Sequence, residues 1–324
     1  MNLPGDGAVY TKATRQGFSD ALLELGEENP DVVVLGADVS GSVKVDAFAR
    51  SYPERFFSVG IAEADMMGVA AGLALVGKIP IASAYGEFAS GRPFDQIRQS
   101  LAYSRMAVKI CASHCGITVG PEGATHQSLE DIALMRVLPH MTVIAPCDYL
   151  ETKRAVKESL SITGGPTYIR FFRDPSPAFT DEATPFRIGK ANVLHEGTDV
   201  SIIACGLQVW ESLKAAVRLL QEGIRARVIN MHTIKPLDKE TLLRAARETG
   251  AIVTAEDHQI HGGLGGAVAE FLAQARPTPQ EFVAVNDTFG ESGTGEELMK
   301  KYGIDCAAIV EAAIRAVKRK ENVV

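Results

Sequence analysis

Cysteine is scarce in this chain and does not group. Cys111, Cys115, Cys147, Cys205 and Cys306 are an odd number spread over 324 positions, which argues for reduced thiols rather than a disulfide framework. Cys111 and Cys115 lack a second Cys or His pair at zinc spacing, so no metal is expected there. No run approaches the roughly eighteen apolar residues needed to span a bilayer, and the stretch from Met1 to Asp20 holds no continuous apolar core for export. A cytoplasmic protein without membrane contact is the expectation. Basic segments are missing as well. The net charge is -7 and only Lys318-Arg319-Lys320 forms a cluster, which disfavours nucleic acid as a partner. Short repeats and low-complexity tracts are absent too.

What the chain does have is alternation. Hydrophobic residues make up 46% and charged ones 23% of its 324 positions, enough for ample core and longer than one core usually serves, so two domains are expected. Short apolar runs at 32–36, 55–59, 79–82, 108–112, 141–145 and 167–171 alternate with helical patterns at 11–25, 62–76, 94–104, 129–137 and 149–160. Continuous apolar strands alternating with helices predict a parallel sheet covered on both faces. The stretch 174–185 interrupts this with three prolines and little apolar periodicity, and reads as a linker. A second series follows, with strands near 200–204, 227–230, 251–254 and 282–285 and helices near 209–222, 239–249, 264–275 and 307–318. The expected division is a first α/β domain over 1–175, a linker over 176–187 and a smaller doubly wound α/β domain over 188–324.

Ligands in open α/β sheets gather beyond the carboxyl ends of the strands. Asp38, Glu63, Tyr85, Phe88, His114 and Arg173 all follow strands of the first series, so they share one rim. Glu63 is the most informative of them. It stands where the run ending Phe56-Phe57-Ser58-Val59 becomes a helix of Gly, Ala, Leu and Val that is apolar all round over 66–76, a pattern that predicts burial. A carboxyl group at the mouth of such a helix is either a first-turn acid held by the helix dipole or a tuned acid or base. Glu87, close by, is expected in solvent.

These segments resemble the C-terminal half of a transketolase: a pyrimidine-binding domain of the thiamine diphosphate-binding fold, then the smaller transketolase C-terminal domain. The resemblance rests on Gly36-Ala37-Asp38, Ile61-Ala62-Glu63, Phe94-Asp95-Gln96-Ile97-Arg98, Ser113-His114-Cys115-Gly116, Gly123-Ala124-Thr125-His126-Gln127 and Ala255-Glu256-Asp257-His258, and it covers nearly the whole chain. It implies thiamine diphosphate as cofactor. Glu63 would hydrogen-bond the ring nitrogen of the aminopyrimidine and shift it toward the imino form, which removes the thiazolium proton. Phe88, with Tyr85 near it, matches the region of stacking aromatics, although Tyr85-Gly86-Glu87-Phe88-Ala89-Ser90-Gly91-Arg92-Pro93 holds one extra residue and fewer aromatics than the common pattern. Asp38 matches an acid that helps position the cofactor. Arg15, Ser42, His114, His126 and Arg173 match positions that hold sugar phosphate and hydroxyls, with His126 also catalytic. Arg offers a planar fork for phosphate, while His and Ser supply directional bonds. Glu122 stands where classical transketolases carry Asp, which bears on sugar preference.

Gly5-Asp6-Gly7 is similar to the opening of the motif that binds magnesium and diphosphate in thiamine enzymes, but it lacks a preceding strand and a suitably placed Asn. The Gly262-Gly263-Leu264-Gly265-Gly266 run lacks dinucleotide and Walker spacing and reads as close helix packing, in a domain expected to stand away from the chemistry. The resemblance therefore implies that Mg2+ or Ca2+ is held by a second polypeptide, an N-terminal transketolase subunit. The expected assembly is an α2β2 heterotetramer, with the small-residue helix pairing with its own copy or with the partner. The expected function is transfer of a two-carbon ketol unit between sugar phosphates, for example from xylulose 5-phosphate to ribose 5-phosphate. Alternatives are a 2-oxo acid dehydrogenase beta subunit, a deoxyxylulose phosphate synthase-like chain, a transketolase for branched or sulfonated ketoses, and a non-catalytic assembly subunit.

Overall fold

The structure is a computed structural model that describes Pro4 and residues 10–321. Gly5-Asp6-Gly7 lies outside the described residues. The strands are β1 (Thr11–Ala13), β2 (Val32–Gly36), β3 (Phe56–Ser58), β4 (Ile79–Tyr85), β5 (Lys109–Ser113), β6 (Thr142–Ile144), β7 (Thr167–Arg170), β8 (Pro175–Pro177), β9 (Asn192–His195), β10 (Val200–Ala204), β11 (Ala226–Asn230), β12 (Thr233–Lys235), β13 (Ile252–Gln259) and β14 (Gln280–Val285). One sheet has the order β12-β6-β7-β5-β4-β2-β3 and another β14-β13-β10-β11-β9, with β1 and β8 forming a small ribbon. Pairing is parallel throughout both large sheets except at the edge pairs β6/β12 and β9/β11. Every residue of β2, β10 and β11 is buried, as a parallel sheet covered on both faces requires. Two α/β domains of the expected class result. No helix among the described residues is long and apolar enough to cross a membrane.

The two sheets are not independent. β12, from the second half of the chain, pairs with β6 at the edge of the first sheet. One apolar core runs from Ile132, Met135 and Leu138 to Leu242, Leu264 and Val268. Beside it, Arg170 Nε donates to Asp131 Oδ2 at 2.8 Å, and Arg170 Nη2 reaches the Ser128 and Asp257 carbonyl oxygens at 3.1 and 2.8 Å. A buried ion pair contributes little unless its remaining polar atoms are satisfied, and here carbonyls from both halves take up the extra N–H groups.

The stretch read as a linker joins the two parts, yet it is packed rather than loose. β8 pairs with β1, Ala178 and Phe179 are buried, and buried Asp148 ties this segment to a helix start. Its carboxylate accepts from Glu151 N at 2.9 Å as the N-cap of Tyr149–Ser159, and from Phe179 N and Thr180 N at 3.0 and 2.7 Å.

One expectation fails within the chain. The helix Glu63–Leu75 is not enclosed: Glu63, Met66, Met67 and Ala70 are buried, while Gly68, Gly72, Leu75 and Val76 face outward. Leu75 and Val76 are 75% and 74% exposed, and Ile61 and Tyr103 nearby are 74% and 82% exposed. The all-round apolar composition reflects one face packed on the sheet and another left uncovered.

Candidate functional site

The candidate residues sit where parallel strands end. Glu63 opens the helix that follows β3, with its side chain 4% exposed. A carboxylate in the first turn of a helix is favoured by the dipole, but this one is also removed from water, so it needs a partner. Arg92 supplies it. Nη1 lies 3.0 Å from Glu63 Oε1 and 3.2 Å from Oε2, and the guanidinium carbon sits 3.8 Å from the centre of the Phe88 ring. Sequence reasoning did not single out Arg92. The only signal was its place in the loop that carries Phe88, twenty-nine residues from Glu63.

Four rings gather beside this pair. Tyr85 ends β4 and stacks on His114 with centroids 4.1 Å apart, and it lies 5.9 Å from Phe88 in a stacked orientation. His126 meets Phe88 edge-on at 5.2 Å and Tyr85 at 6.1 Å. His114, just after β5, adopts φ +59 and is buried. Its Nδ1 is 2.9 Å from Ser113 Oγ. Burial, reinforced by the positive charges of Arg15 and Arg173, pushes its pKa down to about 3, so the ring is neutral at physiological pH and serves as a hydrogen-bonding group rather than a cation.

Arg15 and Arg173 thus both bear on His114. Arg15 Nη1 donates to the Ser42 carbonyl oxygen at 2.9 Å, tying Ser42 to the same neighbourhood through its backbone. Arg173 Nη1 donates to the Val119 carbonyl oxygen at 3.3 Å. Asp38 follows β2 at φ +61 and is exposed. No hydrogen bond or ion pair connects it to the ring cluster, so the chain by itself gives it no fixed task. Glu122 lies on the loop between His114 and His126, with Oε2 buried and lacking a partner.

Glu87 departs from expectation. It is half-buried rather than in solvent, because the short helix Gly86–Ser90 turns it inward. Burial, then the nearby charges of Glu130 and Asp131, pushes its pKa up to about 7.

The loop that carries Glu122 and His126 is closed by the second half of the chain. Asp257 Oδ1 accepts from Ile117 N at 2.8 Å, and Gln127 Nε2 donates to the Glu291 carbonyl oxygen at 2.9 Å. The motif Ala255-Glu256-Asp257-His258, read as remote from the chemistry, therefore reaches the loop. Glu256 accepts from Leu264 N and Gly265 N at 2.7 and 2.8 Å, so the glycine run beside it opens a helix against a buried carboxylate. Added carbon at Gly263 would lie 2.0 Å from Glu256 Oε2, which is why close packing demands glycine there. A cleft of about 840 Å³ lined by Arg136, Lys235, Leu237 and Phe271 shares no residue with the rim. Size does not decide between them, since the titratable and aromatic groups converge at the rim.

Comparison with known proteins gives the family. Residues 11–177 match the transketolase pyrimidine binding domain and residues 189–309 the transketolase C-terminal domain. A Methanocaldococcus jannaschii chain named as a transketolase C-terminal section is 44% identical over 96% of this chain and 98% of its own length. A 6-deoxy-6-sulfo-D-fructose transketolase subunit from Clostridium sp. strain MSTE9 is 43% identical over 99% of both chains. A solved structure described as a split gene transketolase, inactive beta4 tetramer, superposes with TM-score 0.89 at 49% identity, covering 95% of this chain and 99% of that one. The chain belongs to the transketolase family, as the section that carries its pyrimidine-binding domain followed by its C-terminal domain.

Proposed function

We propose that this chain is one half of a transferase that moves a two-carbon ketol unit between sugar phosphates with thiamine diphosphate as cofactor. The observation that carries this reading is the Glu63–Phe88 pair and what lies between them. Arg92 presents a flat, N–H-bearing cation to the face of Phe88 while donating to both oxygens of a buried carboxylate. An aminopyrimidine offers the same features, a planar face with ring and amino nitrogens at its edge, so the donor set fits that group. Thiamine diphosphate, when bound, supplies the carbon nucleophile that accepts and releases the ketol unit.

The chain's own residues have separate tasks. Glu63 holds or shares a proton at the pyrimidine ring nitrogen, Phe88 and Tyr85 wall the ring, and Asp38 helps to orient it. Neutral His114, with His126, directs hydrogen bonds at substrate hydroxyls, and His126 shuttles a proton at the reacting carbon's oxygen. Arg15 and Arg173 supply the charge for a sugar phosphate, with Ser42 and Glu122 lining the same path. The diphosphate and its Mg2+ or Ca2+ belong to an N-terminal subunit. The uncovered face of the Glu63–Leu75 helix, with Gly68, Gly72, Leu75 and Val76, supports burial against another subunit in an α2β2 assembly. Exposed apolar area of that kind marks an interface.

The test is to mix this chain with its N-terminal subunit, thiamine diphosphate and Mg2+ and to follow ketol transfer from xylulose 5-phosphate to ribose 5-phosphate. Turnover with both chains and none with either alone is the expected result. No turnover with any ketose, despite assembly, would sink the reading. A sulfonated ketose is the second reading, favoured by the Clostridium relative, and running both donors in parallel separates the two.

A further inference from the structure

We infer that the second domain sets the position of the substrate loop, with Gln127 and Gly290 as the positioning residues. The inference rests on the proposed function for the roles of Glu122 and His126, but the brace itself stands on geometry. The loop from His114 to Gln127 holds itself only in part, through Gly123 N on the Gly120 carbonyl oxygen and His126 N on that of Gly123. It contains Gly116, Gly120 and Gly123, all at positive φ, and only a short helical turn, Ile117–Glu122. Glycine-rich backbone costs the most entropy to order, so something outside the loop must fix it.

First-domain carbonyls of Phe171 and Ser128 take Cys115 N and Gly116 N, and both ends of the loop are held in addition from the second domain. At the start, Asp257 accepts from Ile117 N, and an added carbon at Gly116 would fall 2.0 Å from Asp257 Oδ2. At the end, Gln127 is buried. Its Nε2 gathers the carbonyl oxygens of Ile117 at 3.1 Å, Gly120 at 3.4 Å and Glu291 at 2.9 Å. One amide group thus joins the loop's own turn to the second domain. The opposing segment is fitted closely: added carbon at Gly123 would meet Ser292 Oγ at 2.8 Å, at Gly120 the Gly293 carbonyl oxygen at 3.0 Å, and at Gly290 Gln127 Oε1 at 1.9 Å and Ile117 Cδ1 at 2.7 Å. The helix Gly295–Lys301, opened by a Thr294–Glu297 capping box, holds that segment in place.

Glu122 and His126 lie between the two fixed ends. Displacement of Gln127 moves them relative to Tyr85, which ends β4, and Phe88, in the short helix that follows it, neither of which the brace touches. The second domain therefore bears on which sugar fits, without touching it.

Gly290→Ala is the perturbation, studied in the assembled enzyme. Gln127 cannot swing away to relieve the clash without releasing all three carbonyls. A misplacement of about 1 Å costs up to about a hundred-fold, so kcat/KM for the sugar phosphate should fall about ten- to a hundred-fold, through KM as Glu122 leaves the sugar and through kcat as His126 leaves the reacting oxygen. The thiamine diphosphate Kd should not change. Gln127→Met, similar in length but without N–H groups, should do the same. Gly223→Ala, at φ +78 with no atom within 4 Å of the added carbon, strains the second domain elsewhere and should leave kcat/KM alone. Amide hydrogen exchange on the full chain should quicken over 117–127 in Gly290→Ala and Gln127→Met and stay unchanged over β4. An unchanged kcat/KM in both variants, an equal shift in Gly223→Ala, or no faster exchange in the loop would overturn the inference. Should the wild-type assembly transfer no ketol unit, the functional reading fails while the exchange comparison still decides the brace.

Discussion

Removing the Arg92 side chain should strengthen cofactor binding, although Arg92 touches both residues expected to hold the cofactor. Its guanidinium covers Phe88 at 3.8 Å and grips Glu63 at 3.0 and 3.2 Å, which is where the proposed function puts the aminopyrimidine. A unit-charge pair about 4 Å apart attracts by about 4 kcal/mol at an effective dielectric of about 20. Arg92, however, is 48% exposed, and pairs screened by water to that extent contribute about 1 kcal/mol or less. A cation over a partly exposed ring adds about 0.5 kcal/mol. The pyrimidine therefore competes with a contact of about 1.5 kcal/mol, or roughly ten-fold in apparent affinity.

Arg92→Ala removes the competitor and leaves Glu63 as a buried carboxylate without a cation, a state that a ring N–H relieves. Titration calorimetry of thiamine diphosphate into the assembled enzyme should show about ten-fold tighter binding. Arg92→Lys keeps a cation but loses the flat fork that both covers the ring and spans the carboxylate, and it should fall between wild type and Ala. If Arg92→Ala binds the cofactor more weakly than wild type, Arg92 supports the ligand rather than replacing it, and the competition argument is refuted.

Glu63→Gln keeps a hydrogen-bonding group but cannot carry the proton, so ketol transfer should drop roughly 10²- to 10⁴-fold with assembly intact by sedimentation; near wild-type turnover would remove Glu63 from the chemistry. Gly72→Leu should separate folding from association. No atom lies within 4 Å of an added carbon there, and replacing a helical glycine stabilises the isolated chain by about 0.8 kcal/mol. The same side chain should block subunit docking, and an assembly unchanged in size by light scattering would clear this face of any interface role. His232 is buried, its ring tilted against Phe186 with centroids 4.3 Å apart, and burial pushes its pKa from 6.5 down to about 4. Between those values the unfolded chain takes up a proton that the folded chain refuses. Stability is therefore complete above pH 6.5 and declines as pH falls toward 4, by about 3 kcal/mol from this group. Urea midpoints at descending pH should show a shallower decline in His232→Gln, and identical slopes for the two proteins would exclude the group.

The regular elements were legible because their signals are local. The helix Lys239–Thr249 begins after Asp238, whose carboxylate accepts from Thr241 N, and ends at Gly250 with φ +66; sequence alone placed both ends. β2 and β10 read correctly as buried strands for the same reason, being short apolar runs with nothing to compete. β8 and β12 were missed because neither carries a pattern. Pro175-Ser176-Pro177 cannot fill a central strand, and Thr233-Ile234-Lys235 becomes a strand only because β6 has a free edge. At the site, the rim position of Glu63, His114 and Phe88 followed from the rule that strand ends gather ligands. Arg92 on Glu63, Asp257 on Ile117 and Gln127 on Glu291 did not follow from any such rule. These contacts join residues 29, 140 and 164 positions apart; the folding of the first domain brings the first pair together, and the packing of the two domains brings the other two.

The helix Glu63–Leu75 shows a different limit. Its sequence carries no amphipathic pattern, and from that alone all-round burial was the inference, which the exposed Leu75 and Val76 overturn within this chain. Composition reports that a surface must leave water; it does not report which molecule covers it. Within this chain Met66, Met67 and Ala70 fill the core while Gly68, Gly72, Leu75 and Val76 face out. A face that presents two glycines with open space above them suits close backbone approach, since side chains there would hold a neighbour away. The same helix carries Glu63 at its first turn. Covering the outer face and completing the site around the carboxylate are then linked events, and a chain that loses the first by Gly72→Leu should lose the second as well, with thiamine diphosphate affinity falling in step with assembly.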